Sequence, residues 1–190
     1  WTEAGARAEI QIGPADVRLN ELTELDVARL DDRIQQFALT QGTLNIQLDE
    51  MPAGGLHIDT PRGAISFTQP GRFRIDVGDA SAAGNGDEGV RVTVFEGEAR
   101  FEASQSAHVV KSGESAVLAG EPTQVALSAA QSTPFDAWAL NRDRPISTSK
   151  TLAHVSPQMT GYQDFDAHGT WERAPDYGPV WYPRVAVDDW

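Results

Sequence analysis

A period-two alternation of apolar and polar residues from Arg7 to about Leu127 constrains this chain's fold more than any other feature. Ala8, Ile10 and Ile12 fall in one phase, and Arg7, Glu9 and Gln11 in the other. The pattern returns in Val17/Leu19, Leu25/Val27, Phe37/Leu39, Leu44/Ile46/Leu48, Phe73/Ile75/Val77, Val90/Val92/Val94 and Ala99/Phe101. Alternation over short runs marks strands with one face buried. Between the runs sit turn signals: Gly13-Pro14, Gly42, Pro52-Ala53-Gly54-Gly55, Pro70-Gly71, Gly97, Gly113 and Gly120-Glu121-Pro122. Many short strands punctuated in this way imply a mainly β fold, either a β-solenoid or a twisted sheet or sandwich. Ile10, Ile12, Leu44, Ile46, Phe73, Ile75, Val92, Val94 and Phe101 are the expected core.

An internal echo runs through this region. Leu39-Thr40-Gln41-Gly42-Thr43-Leu44-Asn45-Ile46 resembles Val94-Phe95-Glu96-Gly97-Glu98-Ala99-Arg100-Phe101. Phe67-Thr68-Gln69-Pro70-Gly71-Arg72-Phe73 is a third copy, one residue longer. Each reads apolar, two residues, glycine, then alternation. The spacing between copies is uneven, so they are not strict repeats. The echo favours a solenoid; independent hairpins with glycine turns in a sandwich would also produce it.

Charge and composition exclude several functions. Lys and Arg number 15 against 28 Asp and Glu, a formal charge of −13 in 190 residues. Such a field repels phosphate backbones and anionic lipid, so nucleic acid is not an expected partner. No apolar run approaches the ~20 residues of a membrane span. With no cysteine there is no disulfide, no thiolate nucleophile and no thiolate metal site. The first residue is Trp1 rather than an initiator methionine, as in a processed or partial piece of a longer protein.

The ordered series Ile58-Asp59-Thr60-Pro61-Arg62-Gly63-Ala64, Pro70-Gly71-Arg72-Phe73-Arg74-Ile75, Val94-Phe95-Glu96-Gly97-Glu98-Ala99 and Val110-Lys111-Ser112-Gly113-Glu114-Ser115-Ala116 resembles the FecR-like domain of bacterial envelope proteins. The resemblance covers residues 1–128. It implies a β-solenoid or twisted β-sheet, and an exported protein that is periplasmic, outer-membrane-associated or extracellular. Trp1 to Ala8 resembles the middle of that domain, so an open sheet edge is expected near the N-terminus. Family members serve as sensors in siderophore uptake. With no cytoplasmic segment or span in this chain, that sensor role is not expected to carry over.

Residues 129–145 read as a linker and one short helix. Thr133 or Ser132 can cap it, Pro134 suits its first turn, and Phe135, Trp138 and Leu140 form its apolar face over about 134–143. Residues 146–190 read as an extended tail rich in proline and aromatic residues. Gly161-Tyr162-Gln163-Asp164-Phe165-Asp166-Ala167-His168-Gly169-Thr170-Trp171, followed by Tyr177-Gly178-Pro179-Val180-Trp181-Tyr182-Pro183-Arg184, resembles a tail that follows FecR-like domains and leads into Y-x-W-G-x-W repeats in exported proteins. Tyr162, Trp171, Tyr177, Trp181, Tyr182 and Trp190 are the candidate interaction residues. Tyrosine and tryptophan offer flat apolar plates with a hydrogen-bonding edge, suited to protein grooves or sugar rings. A loosely patterned tail is ordered only when something holds it, either its own β domain or a second copy.

Few residues suggest catalysis. His57, His108, His154 and His168 lack the spacing of a metal site, although His168 lies near Asp164 and Asp166. The acidic stretch Asp79 to Glu88, with Asn85 and Asp87, offers oxygen ligands for Ca²⁺ but lacks the EF-hand pattern. Glu96 and Glu98 share a strand face, as solvated carboxylates do. No catalytic residue, cofactor or metal is expected. The chain is therefore expected to be a non-enzymatic exported binding or interaction module, with a protein partner or further copies of itself. Two alternatives remain open: a structural protein assembling into a filament or ring through sheet edges and tail, and a binder of cell-wall or extracellular polysaccharide.

Overall fold

The computed structural model describes residues 1–31, 33–78, 89–103, 106–120, 123–147, 149–156, 159 and 161–184, with backbone alone at 106, 144–147 and 163. The chain packs as two compact units, Trp1–Ala137 and Trp138–Trp190. Among the described residues the first unit holds twelve strands. They are β1 (Ala8–Ile12), β2 (Ala15–Leu19), β3 (Glu24–Leu30), β4 (Gln35–Leu48), β5 (Leu56–Thr60), β6 (Gly63–Phe67), β7 (Gly71–Val77), β8 (Val90–Glu96), β9 (Glu98–Ala103), β10 (Ser106–Lys111), β11 (Glu114–Ala119) and β12 (Gln124–Ala129).

The long strand β4 is the spine. Its first half pairs with β3 and, in parallel, with β5; its second half pairs antiparallel with β2 and β7. One half-sheet is therefore β3-β4-β5-β6-β9-β10 and the other is β1-β2-β4-β7-β8-β11-β12. β10 returns alongside β8 and β11, so the sheet curls round on itself. One core fills the inside, with Phe37, Ile58, Ile65 and Phe101 from the first half-sheet and Leu44, Ile46, Phe73, Ile75, Val92 and Val94 from the second. Of the two expected architectures, the chain adopts the curled sheet. Apart from the parallel pair β4 and β5, the paired strands described run antiparallel instead of coiling in one direction, so the solenoid is not formed.

The echo marks the corners of this sheet. The chain passes between the half-sheets at Gly42 inside β4, between β6 and β7 at Pro70-Gly71, and between β8 and β9 at Gly97. At Gly42 (φ +94°) the register skips Thr40. The buried phase then changes from Phe37 and Leu39 to Leu44, Ile46 and Leu48. Gly97 has φ +86°, which side chains with a Cβ rarely adopt. A Cβ there would overlap the Pro70 carbonyl oxygen and press on the Phe73 ring. Gly97→Ala should therefore cost at least about 1–3 kcal/mol from backbone strain alone, read as a lowered urea midpoint. An unchanged midpoint would show that the corner is not this tight.

One expected core position lies elsewhere: Ile10 is 36% exposed, whereas Ile12, partly buried, packs against the core. Val27, expected in an inward phase, is also exposed. Among the described residues β1 pairs only with β2, and β3 only with β4; an edge strand has no neighbour to cover its outer side. The stretch from Asp79 to Glu88, with its candidate Ca²⁺ ligands, lies outside the described residues.

α1 runs over Pro134–Ser147, beyond the expected end and through Pro145. A proline one turn from the end forfeits a single backbone bond, that to the Asn141 carbonyl. The segment expected as extended has structure of its own: a 3-10 turn at Thr151–Ala153, a short helix α2 (Tyr162–His168) and a hairpin of β13 (Gly169–Ala174) and β14 (Gly178–Pro183). The hairpin turn is Pro175-Asp176-Tyr177 closed by Gly178 at φ +76°.

Candidate functional site

The outer phase of the second half-sheet was expected to be solvated. Along its middle, from Arg18 to Ser115, it is buried instead, and the β1 end at Glu9 is exposed. Glu9, Arg18, Asn45, Arg74, Thr93 and Ser115 stand in register across β1, β2, β4, β7, β8 and β11. Arg18 is 0% exposed, Asn45 1%, Arg74 5%, Thr93 0% and Ser115 2%. Charges so placed must be paired, because an isolated buried ion costs many kcal/mol. Arg18 Nε meets Glu9 at 3.0 Å and its Nη2 meets Asp16 at 3.3 Å. Thr93 and Ser115 share a hydroxyl hydrogen bond of 3.0 Å.

Arg74 is the centre of this row. Its Nε donates to Asp76 at 3.0 Å and its Nη1 donates to Asp136, in the first turn of α1. Nη1 also donates to the Gln131 carbonyl at 3.2 Å. Asp136 accepts in addition from Asn45 Nδ2 at 3.1 Å and from the Thr133 backbone N–H at 2.7 Å. Thr133 Oγ1 in turn accepts from the Asp136 N–H. This is a capping box, with Thr133 as cap, Pro134 in the first helical position and Asp136 three residues on. One carboxylate thus starts the helix and ties its first turn, within the first unit, to β7 and β4. Asp76 accepts from Thr43 Oγ1 at 2.9 Å. Burial pushes the Asp76 carboxyl above the usual carboxylate range, against the pull of Arg74 and Thr43. An acid raised on folding favours the folded state at low pH, and that contribution is lost as pH rises through its folded pKa.

The second unit is built around a pair of indoles. Trp171 and Trp181 face one another across β13 and β14. Trp171 Nε1 donates to Thr151 Oγ1 at 3.0 Å, and Trp181 Nε1 donates to the Phe165 carbonyl at 3.0 Å. Phe165 stands edge-on to Trp181 at 5.0 Å, and the His154 ring lies 4.6 Å from Trp171. Gly169 is required by close approach alone, since a Cβ there would enter the Trp181 ring. Asp166 ties the unit together: Oδ1 accepts from Thr151 Oγ1 and Oδ2 from the Lys150 N–H, each at 3.0 Å. Burial raises this carboxyl, but the hydrogen bonds from Ser149, Thr151 and Lys150 outweigh it and hold it below the usual range.

The candidate aromatic residues therefore separate. Trp171 and Trp181 come together, half-buried, and Tyr162 is buried on α2. Tyr177 is exposed at the hairpin turn, Tyr182 is exposed on β14, and Trp190 lies outside the described residues. Among the described residues no group of three or more His, Asp or Glu is placed to hold a metal ion. No described helix is long and apolar enough to cross a membrane. Iodide should quench Trp171 and Trp181 far less than Trp1, which is 80% exposed, in variants keeping one tryptophan each. Equal quenching would contradict the packing.

Sequence reasoning missed Arg18, Asn45, Arg74 and Asp136. The sequence carried little signal for them: the short polar residues Asn45, Thr93 and Ser115 suit a covered face, but the same phase also holds Glu9, Asp16, Arg18, Arg74 and Asp76, as a solvated face would.

Nothing matches among curated proteins. Two crystal structures, at 1.65 and 2.50 Å, of a candidate anti-sigma factor from Parabacteroides distasonis ATCC 8503 share the fold, with TM-score 0.58 and 14% identity. The likeness covers 73% of this chain and 62% of that one, so the chain spans less than two thirds of their length. The family model described as FecR protein matches residues 1–100, the greater part of the curled sheet. The chain belongs to the FecR protein family.

Proposed function

We propose that this chain is a non-enzymatic regulatory module that works by protein contact on the exported side of a bacterial envelope. The observation that carries this reading is the FecR match over residues 1–100. The fold shared with the candidate anti-sigma factor supports it. The chemistry of the first unit agrees: Asp76 and Asp136, its most deeply buried charge-paired carboxylates, are committed to Arg74 and to the start of α1. Such groups hold a scaffold together. Deleting the gene should change transcription of a defined set of genes, and cell fractionation should place the protein outside the cytosol. An unchanged transcript profile overturns the regulatory reading, and a cytosolic protein overturns export.

Self-assembly through sheet edges is the second reading. It is favoured by β3, an edge strand whose Val27 and Leu30 are 58% and 52% exposed. Exposed apolar edge strands template pairing with another chain. Light scattering that finds a monomer at every concentration removes this reading.

A further inference from the structure

The second unit carries a cleft of about 430 Å³ lined by Lys150, His154, Asp166, Thr170, Trp171 and Arg184. Its charge is opposite to that of the chain. The protein as a whole carries −13, whereas this lining brings two cations and one carboxylate. That carboxylate is already engaged: Asp166 accepts from Thr151 and from the Lys150 N–H, and its backbone carbonyl accepts from Arg184 Nη2 at 3.2 Å. Asp166 therefore positions Lys150 and Arg184. Neither of these side chains forms an ion pair with a described carboxylate. The His154 and Trp171 rings pack against one another, centroids 4.6 Å apart and planes tilted by 34°, and give the cleft an aromatic wall beside the two cations.

Small-ligand clefts run from about 300 Å³ upward and combine apolar walls with a few placed polar groups. A bare inorganic anion needs neither this volume nor an aromatic wall. A sugar ring uses both, because its C–H face packs on aromatic plates while its hydroxyls seek groups such as Thr170. Arg and Lys that form no ion pair with a described carboxylate attract an anionic group on that ring, and a carboxylate is the common one on a saccharide. We propose that this cleft binds a carboxylate-bearing saccharide. The assignment rests on the second unit alone and stands apart from the regulatory reading. Two sources share that chemistry: a uronic acid of an extracellular polysaccharide, and the lactyl carboxylate of a muramic acid freed of its peptide stem.

The test is calorimetric titration of the whole 190-residue protein with four probes: trigalacturonic acid, N-acetylmuramic acid, neutral galactotriose and sodium phosphate. One of the two acids should bind, and which one identifies the source. Galactotriose and phosphate should bind at least about tenfold more weakly. Lys150→Gln should weaken the acid about tenfold, and Lys150→Arg should restore it. Lys150 is exposed, so the fold is retained, which unchanged tryptophan emission confirms. The proposal is overturned if neither acid binds, if galactotriose or phosphate binds as tightly as the acid, or if Lys150→Gln leaves the acid's affinity unchanged.

Discussion

Arg74→Ala should lower the stability of the first unit by about 3–5 kcal/mol, because it leaves two carboxylates buried without their cation. Asp76 and Asp136 are 5% and 6% exposed, and both contact this one guanidinium. The loss should appear in urea melts as a shifted midpoint with an unchanged slope. Neutralising all three groups together, as Arg74→Met with Asp76→Asn and Asp136→Asn, should recover much of it, since a matched neutral set no longer buries charge. A loss below about 1 kcal/mol for Arg74→Ala, the range of exposed pairs, would mean that the row is solvated. Arg72→Ala supplies that comparison on the same strand: its partner Glu96 is 65% exposed, so its salt bridge should contribute less than about 1 kcal/mol.

Phe73→Ala should cost about 3–5 kcal/mol, the usual range for truncating a buried aromatic residue. Phe73 is 0% exposed and its ring centroid lies 4.5 Å from that of Phe67. It also sits under the Gly97 corner, where the backbone approaches too closely to admit even a methyl group. Two corners of the sheet converge there, so the surroundings cannot collapse into the space left behind. Phe73→Leu, which keeps much of the volume, should cost clearly less. A cost under about 1 kcal/mol for Phe73→Ala would place this side chain outside the core.

The strands and their inward phase were legible because alternation reports burial on one face directly. Leu44, Ile46, Phe73, Ile75, Val92, Val94 and Phe101 are all buried as expected. Alternation says nothing about what covers the other face. Asn45, Arg74 and Thr93 therefore read as solvated polar positions, although they are buried. Edge position is equally invisible to a local pattern, which is why Ile10 and Val27 were misplaced. The glycine echo was visible, but its meaning was not, because a corner between half-sheets and a solenoid turn both need a residue with positive φ. Thr133 and Pro134 announced the start of α1 correctly. Asp136 was overlooked because its second role depends on Arg74, 62 residues earlier. In the second unit, Pro175-Asp176-Tyr177-Gly178 between two aromatic runs is a hairpin signal with a mechanism. The proline content of the flanks hid it. Trp171 and Trp181 were expected to be held by protein contacts, but their partners, Thr151 and the Phe165 carbonyl, were not foreseen, since groups 16 and 20 residues away have no sequence pattern linking them to the indoles.

The buried polar row is the central structural claim, and guanidinium exchange measured by NMR tests it most directly. Arg29 and Arg100 are 54% and 47% exposed and serve as internal references. The Nε–H signals of Arg18 and Arg74 should persist to a pH at which those of Arg29 and Arg100 have exchanged away, because a buried, hydrogen-bonded proton exchanges only when the structure opens. Loss of all four signals at the same pH would contradict the account.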